Sequence, residues 1–327
     1  MTLTGRPVLV TGAGGFIGGH LVARLVADGA EVRALLRYTS RADRGTLDWF
    51  GAEVADAVEP VFGDLRDAES VAAAATGMEV VFHLGAQIAI PYSYVNPRDF
   101  FETNVLGTLN VAQASRAAER LIAVSTSEVY GSARTVPITE DHPLEPQSPY
   151  AASKVGADKL VDSFTRSFGL RGTVVRPFNT YGPHQSARAV IPTIITQALA
   201  GGALKLGSLH PRRDMTYVED TVAGLVAAAG APNAVGRTLQ LGTGHDVTIG
   251  QMVELVGEVL GRELTVEHDP ARVRPPDSEV ERLISDPALA RELTGWEPKV
   301  ELREGLRRTV EWIERNPERF RVGEYAL

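Results

Sequence analysis

Val8-Leu9-Val10-Thr11-Gly12-Ala13-Gly14-Gly15-Phe16-Ile17-Gly18 is the stretch on which the fold of this chain turns. An apolar run leads into a loop with glycines at 12, 15 and 18. A helical pattern then runs from Phe16 to Asp28, with Gly29 as its stop. The first glycine lets the chain turn sharply out of a strand. The second lets backbone approach a pyrophosphate, and the third lets helix and strand come close. The helix opening at Phe16 offers free N–H groups and a positive dipole end to phosphates. Glycine patterns are common in plain turns, but this one follows a strand and opens a helix, the context a dinucleotide site requires.

Outward from that loop, strand-like runs recur at Glu31–Leu36, Val80–Leu84, Leu121–Ser125 and Gly172–Arg176. Helical stretches fall between them, including about Asp99–Glu119 and Ala151–Phe168. Nearly all-apolar strands alternating with helices predict an α/β, Rossmann-type doubly wound parallel sheet covered on both faces. The C-terminal third is less regular, with a Pro-rich segment at Arg272–Pro276 and a last helix near Arg303–Arg315. The expected division is a dinucleotide-binding domain over 1–180 and a smaller substrate-binding lobe over 181–327. Segments around 213–245 are expected to return to the first domain.

The chain has 33 Lys+Arg against 41 Asp+Glu, a formal charge of −8, which argues against nucleic acid or an anionic membrane as partner. With no cysteines, disulfides and thiolate metal sites are excluded. No His/Asp/Glu cluster has metal-ligand spacing, so no metal is expected. No apolar run approaches the ~20 residues of a membrane span, and no signal peptide is read, so a cytoplasmic location is expected.

The end of the second strand reads Leu35-Leu36-Arg37-Tyr38-Thr39-Ser40-Arg41. It lacks the carboxylate that binds a ribose 2′-hydroxyl, and Arg37 with Ser40 or Arg41 suits a 2′-phosphate instead. The cofactor expectation is therefore NADP or NAD, leaning to NADP. Asp64, in Gly63-Asp64-Leu65, can accept from an adenine amino group.

Tyr150 and Lys154 lie four apart, on one face of a helix. A phenol with pKa near ~10 is a poor base at neutral pH, and an ammonium one turn away favours its ionised form. Such a pair can take a hydroxyl proton while hydride leaves the same carbon. Ser125, ending a strand, can hydrogen-bond that hydroxyl.

These motifs together resemble the extended short-chain dehydrogenase/reductase family that modifies sugar nucleotides. The resemblance is carried by Gly12–Gly18, Asp64, His83-Leu84-Gly85-Ala86, Asn104, Ser125, Tyr150/Lys154, Arg176–Pro183, Arg213–Val218 and Gly295–Pro298. Gly85 departs from it, since alanine is more usual there. The resemblance implies a tightly bound, recycled dinucleotide, contacted by Gly12, Gly15, Phe16, Ile17, Gly18, Arg37, Asp64, Leu65, Leu84, Ala86, Asn104, Tyr150, Lys154 and Pro177. It implies a UDP- or GDP-sugar held by Asn179, Val190, Lys205, Arg213 and Arg274. It also implies a homodimer through the helices near Asp99–Glu119 and Ala151–Phe168. Tyr92 and Tyr94 suit a sugar pocket or packed core equally.

Ser125-Thr126-Ser127-Glu128-Val129-Tyr130-Gly131 discriminates among the sugar chemistries. Glu128 falls just beyond a parallel strand, where α/β sheets place ligands, and a carboxylate there can remove a proton made acidic by a neighbouring ketone. The segment resembles that of sugar-nucleotide 4,6-dehydratases, in which the matching Glu is the C5 base. The implied sequence is oxidation at C4 by Tyr150, Lys154 and Ser125, loss of the C5 proton to Glu128, loss of water from C6, and hydride return. Ser127 stands where another branch has an acid, so Glu128 or a water relayed through Thr126 must protonate the leaving hydroxyl. Resemblance to a legionaminic-acid-pathway dehydratase and to GDP-mannose 4,6-dehydratase points to UDP- or GDP-N-acetylglucosamine. The enzyme alternatives are UDP-glucuronate decarboxylase, with Arg188 or Arg212 as cation for the C6 carboxylate, and then a 4-epimerase. An NADP-binding sensor or assembly protein is the non-enzyme alternative.

Overall fold

The computed structural model describes residues 2–320; the last residues assigned to the second lobe, 321–327, lie outside them. The apolar runs form one seven-stranded sheet in the order β10-β6-β5-β4-β1-β2-β3, with every neighbouring pair parallel. Its strands are β1 (Pro7–Thr11), β2 (Glu31–Arg37), β3 (Val58–Gly63), β4 (Val80–His83), β5 (Arg120–Val124), β6 (Gly172–Pro177) and, at the far edge, β10 (Thr238–Leu241). The helices are α1 (Phe16–Ala27), α2 (Ala52–Asp56), α3 (Ala68–Ala75), α4 (Ile90–Val95), α5 (Pro97–Phe100), α6 (Gly107–Ala114), α7 (Pro149–Phe168), α8 (Val190–Ala200), α9 (Val218–Gly230), α10 (Ile249–Leu260), α11 (Ala288–Thr294) and α12 (Leu302–Arg315).

Successive side chains of a strand point to opposite faces, so an all-apolar strand feeds two cores. Within β1, Leu9 packs with Val71, Val111 and Phe164 from α3, α6 and α7. Its neighbours Val8 and Val10 join the cluster holding Leu21 and Leu25 of α1 and Val222 and Leu225 of α9. The sheet is thus covered on both faces, as the sequence pattern predicts. Burying each such side chain contributes roughly 1.5–3 kcal/mol.

Beyond β6 the chain builds smaller sheets. Strand β9 (Arg212–Tyr217) pairs with β7 (Asn179–Tyr181), β11 (Asp246–Thr248) and β13 (Arg282–Leu283), and β8 (Leu204–Leu206) pairs with β12 (Val266–His268). Between these pieces α9 packs on α1, and β10 pairs with β6 in the main sheet.

The helix expected over Asp99–Glu119 is not continuous. Helix α5 runs into a π-helical turn, Phe101–Leu106, before α6, which ends at Ala114. At the turn's centre Asn104 accepts from Gln87 N (2.8 Å) and donates to Gln87 O (2.9 Å) and Ser153 Oγ (2.9 Å). This tie pins the wider turn to the loop after β4 and to α7, where a regular helix would carry the side chain elsewhere. Helix α7 ends where expected, at a left-handed Gly169 (φ 70°).

Candidate active site

The carboxyl ends of β1, β4, β5 and β6 open on one cavity of about 940 Å³, lined among others by Gly12, Leu84, Ser125 and Pro177. Its shape at the glycine loop depends on missing side chains. Gly12 has φ 71°, and a Cβ there would lie 2.6 Å from Gly85 N. A Cβ on Gly18 would lie 2.1 Å from Gly12 O. Gly15, the N-cap of α1, supplies no side-chain cap, so the first-turn N–H groups face outward unclaimed by it. These features fit a dinucleotide pyrophosphate. Gly85 is also more constrained than its sequence context suggests, because a Cβ there would meet Leu65 Cδ1 at 2.6 Å.

Of the residues expected at the cofactor, Gly12, Gly15, Phe16, Ile17, Gly18, Arg37, Asp64, Leu65, Leu84, Ala86, Tyr150, Lys154 and Pro177 line the cavity. Asn104 does not. It is buried, and its amide is spent on Gln87 and Ser153, so it braces the site from behind. Arg37 lines the cavity, but Ser40 and Arg41 do not; Thr39, Asp43 and Arg44 stand there instead. The Asp43 carboxylate accepts from Gly45 N (2.6 Å), and Arg44 is paired with Asp48 (2.9 Å). Asp64 is held by Arg66 (2.6 Å), whose guanidinium pulls its pKa down.

Beneath the loop, His83 is buried and held neutral, its pKa lowered to about 3 by burial and by Lys154. Thr108 Oγ1 donates to Asn104 O (2.6 Å), so it accepts from His83 Nε2 (3.0 Å). That leaves Nδ1 to accept from Thr11 Oγ1 (2.8 Å), which in turn accepts from Gly85 N (3.1 Å).

At the reacting end, Tyr150 and Lys154 project from one face of α7 and are both buried. The Lys154 ammonium donates to Val124 O (2.7 Å). Burial drives the Tyr150 phenol up, the charges of Glu128 and Asp158 add to the rise, and the Thr126 hydroxyl opposes it. Ser125 and Thr126, both singled out in the sequence, both line the cavity, and it is the Thr126 hydroxyl that acts on the Tyr150 phenol. Thr126 has extended backbone (φ −159°, ψ 152°), and neighbours on extended chain face opposite ways. Ser125 Oγ is buried with no partner at hydrogen-bonding distance; nearby, burial pushes the Asp158 carboxyl up, and the Arg176 charge and then Ser125 oppose the rise.

Thr126 also caps the short 3₁₀ turn Ser127–Tyr130, accepting from Glu128 N (3.2 Å). The turn aims Glu128 into the cavity, where Arg274 Nη1 lies 4.0 Å from Oε2. Arg274 Nη1 is also 3.7 Å from Glu279 Oε1, and Arg213 Nη2 is 3.2 Å from the same oxygen. Neither contact of Arg274 Nη1 is a hydrogen bond; it is a buried donor without an acceptor, as a site for an anionic ligand would leave it.

Asn179 and Val190 also line the cavity. Lys205 does not. Strand β8 alternates buried, exposed, buried, and Lys205 is its outward residue. Arg188 lines the cavity, whereas Arg212 is bound to Asp246 (2.9 Å) away from it. Tyr92 and Tyr94 stand outside the lining; Tyr92 packs near Phe100, and Tyr94 bonds Ser278. Sequence reasoning missed Asp43, Asp158 and Glu279. Asp158 alone carried a usable signal, one further helical turn along the Tyr150/Lys154 face.

A family model described as GDP-mannose 4,6 dehydratase matches residues 9–309. A UDP-glucose 4-epimerase of Mycolicibacterium smegmatis is 36% identical, over 93% of this chain and 97% of its own. A UDP-glucuronic acid decarboxylase 1 of Xenopus tropicalis is 31% identical, over 98% of this chain and 75% of its own. Among solved structures, DesIV, a dTDP-glucose 4,6-dehydratase from Streptomyces venezuelae with NAD bound, superposes with a TM-score of 0.86. It is 30% identical, and the match covers 95% of this chain and 98% of that one.

Proposed function

The chain belongs to the GDP-mannose 4,6-dehydratase-type extended short-chain dehydrogenase/reductase family of nucleotide-sugar enzymes, and from that premise we propose that it is a sugar-nucleotide 4,6-dehydratase acting on UDP- or GDP-linked N-acetylglucosamine. The observation that carries the reading is that Glu128 opens on the same cavity as Tyr150 and Thr126, near enough for its charge to act on the phenol. Epimerisation at C4 needs no second base; elimination across C5 and C6 does.

The glycine loop, Leu65, Leu84, Ala86 and Pro177 would hold the dinucleotide, NADP or NAD, which when bound takes hydride from C4 and returns it to C6. Arg37 favours a 2′-phosphate; Asp43, also on the cavity wall, favours a free ribose hydroxyl. Tyr150 accepts the C4 hydroxyl proton, with Thr126 hydrogen-bonded to the reacting oxygen and Lys154 supplying positive charge one turn away. Glu128 then removes the C5 proton. The same proton, passed from Glu128 to the C6 hydroxyl, lets that group leave as water, so no acid is needed at Ser127; as hydride returns to C6, C5 takes a proton back from Glu128, resupplied from solvent, while Tyr150 releases the C4 hydroxyl proton it took. Arg213 and Arg274 receive the diphosphate, with Asn179 and Val190 along the nucleotide. In this reading residues 1–180 mainly hold the dinucleotide and 181–327 the sugar nucleotide, and two chains associate through α6 and α7.

The second reading, a UDP-glucuronate decarboxylase, draws on Arg188 at the cavity wall as a cation for a C6 carboxylate. Mass spectrometry of the protein incubated separately with UDP-GlcNAc, GDP-GlcNAc and UDP-glucuronate separates the two. Loss of about 18 mass units, the water expelled after C5 deprotonation, supports the dehydratase and names the nucleotide. Loss of about 44 units from the glucuronate, as CO2, replaces it with the decarboxylase. No mass change with any of the three overturns both and leaves epimerisation.

A further inference from the structure

The loop 182–189, between β7 and α8, runs along the cavity wall, where Gln185, Ser186, Arg188 and Ala189 line the site together with Val190. Its polar ties are local: Gln185 Nε2 donates to Thr180 O (2.9 Å), and Thr193 Oγ1 donates to Ala187 O (2.8 Å). His184 fixes it to the rest of the fold. This residue is 7% exposed and has φ 70°, one of two non-glycine residues with positive φ among the described residues. Left-handed backbone is costly for most side chains, and histidine is among the types that tolerate it. Its ring sits in a box built by three separate segments. His20 of α1 lies 5.0 Å away between centroids. Trp49 and Phe50, in the turn that follows β2, lie at 5.7 and 4.3 Å, and Trp312 of α12 at 4.6 Å. The walls brace one another: Trp49 stacks on Trp312 (5.9 Å), and the Arg319 guanidinium lies 4.6 Å from the Trp49 ring. Beside the ring, His20 Nε2 donates to Pro183 O (3.0 Å). His184 Nδ1 is buried without a partner, a cost that an apolar side chain would avoid. Two local costs kept at one residue point to a task beyond packing.

We propose that His184 is a positioning residue for the sugar-nucleotide side of the site: its ring, seated between α1 and α12, sets the course of residues 185–190 along the cavity wall. The inference rests on reading that wall as the one that receives the nucleotide, with Val190 along it. His20, Trp49 and Phe50 come from the dinucleotide-binding part of the chain, and Trp312 and Arg319 from its last segment. The ring therefore registers the substrate-side loop against the cofactor-side helix. Histidine suits the position because it combines an aromatic ring with tolerance of the left-handed backbone. Without the ring, the ligand itself must order the loop, and its affinity carries that cost. The glycine loop that fits the pyrophosphate makes no use of the ring, so cofactor affinity is spared. A residue that merely packed the interior would shift stability without separating the two ligands.

The test is isothermal titration calorimetry of the full, NAD-loaded chain with UDP, GDP and dTDP, with NAD affinity measured separately. His184→Asn keeps a residue that accepts left-handed backbone but removes the ring. It is expected to weaken whichever diphosphate wild type binds tightest by about tenfold or more, and to leave NAD affinity within about threefold. His184→Phe keeps a ring in the box and is expected to stay within about threefold of wild type for both ligands. Should His184→Asn fail to fold, Trp312→Leu removes the facing wall with His184 in place. It is expected to weaken the diphosphate in the same way, and Trp312→Phe to restore it. Wild-type diphosphate affinity in the variants lacking a ring, an equal loss of NAD and diphosphate, or a Phe variant no better than Asn would overturn the proposal. So would a wild type that binds none of the three diphosphates, the outcome that also removes the nucleotide-side reading of the loop. None of the three is turned over, so the result is independent of whether water or CO2 is lost, which the mass measurement decides.

Discussion

Replacing Glu128 by Gln separates the two halves of the proposed reaction. The amide keeps the shape of the carboxylate and its place after the Thr126 cap, but it cannot accept the C5 proton. Loss of a positioned general base costs typically 10²–10⁴-fold, or about 3–5 kcal/mol on the barrier. The ground state should move the other way. Glu128 lies 4.0 Å from Arg274 Nη1, in a site where the two side chains are 12% and 28% exposed. At that separation a pair near a protein surface interacts by about 4 kcal/mol before solvent screening, so its removal frees Arg274 for the substrate diphosphate. Turnover of the variant should fall at least 10²-fold while KM holds or drops. Reduced nicotinamide, followed by its near-ultraviolet absorbance in a single-turnover mix, should then accumulate, because C4 oxidation proceeds and elimination stalls. Turnover within about threefold of wild type, well short of the loss of a general base, would refute the assignment of Glu128 as the C5 base.

Gly12→Ala should abolish cofactor retention and lower the melting temperature, since φ 71° and a Cβ 2.6 Å from backbone Gly85 N leave it no room; a melt unchanged with and without NAD counts against the loop geometry. His83 is neutral in the fold, lowered to about 3, whereas the unfolded chain protonates it near ~6.5. Its stabilisation is therefore complete above pH ~6.5 and is lost as pH falls towards 3, with ~2 kcal/mol gone by pH 5; thermal melts of His83→Gln should depend less on pH over that range. Arg213→Ala should raise KM about tenfold or more by removing a charge-assisted donor to the diphosphate, while Lys205→Ala should leave KM unchanged. Equal effects of the two would show that the outward placing of Lys205 is wrong.

Much of the fold was legible because its cause is local. The residues after β1 form a loop and a helix for reasons contained in the glycines themselves, and the two-faced burial of Leu9 against Val8 and Val10 follows from an apolar strand having nowhere polar to face. The π-helical turn at Phe101–Leu106 was not legible. It depends on a tie from Asn104 to Gln87 and Ser153, residues 17 and 49 positions away in the chain. Lys205 was misplaced for a related reason. Its match to a family position fixed its neighbourhood but not its direction, and direction on a three-residue strand reverses with a shift of one residue.

The same one-residue rule governs the reacting hydroxyl. Ser125 and Thr126 are both hydroxyl residues at the carboxyl end of β5, and composition treats them alike. Extended backbone does not: both residues line the cavity, but neighbours on extended chain face opposite ways, and Ser125 Oγ is left buried without a partner. Ser125 lies near Asp158, and Thr126 acts on Tyr150. That division explains why two hydroxyls stand in sequence here. The reacting surface has two layers joined through α7: Ser125, Thr126, Glu128, Tyr150 and Lys154 on the cavity wall, and the Asp158–Arg176 pair buried behind them.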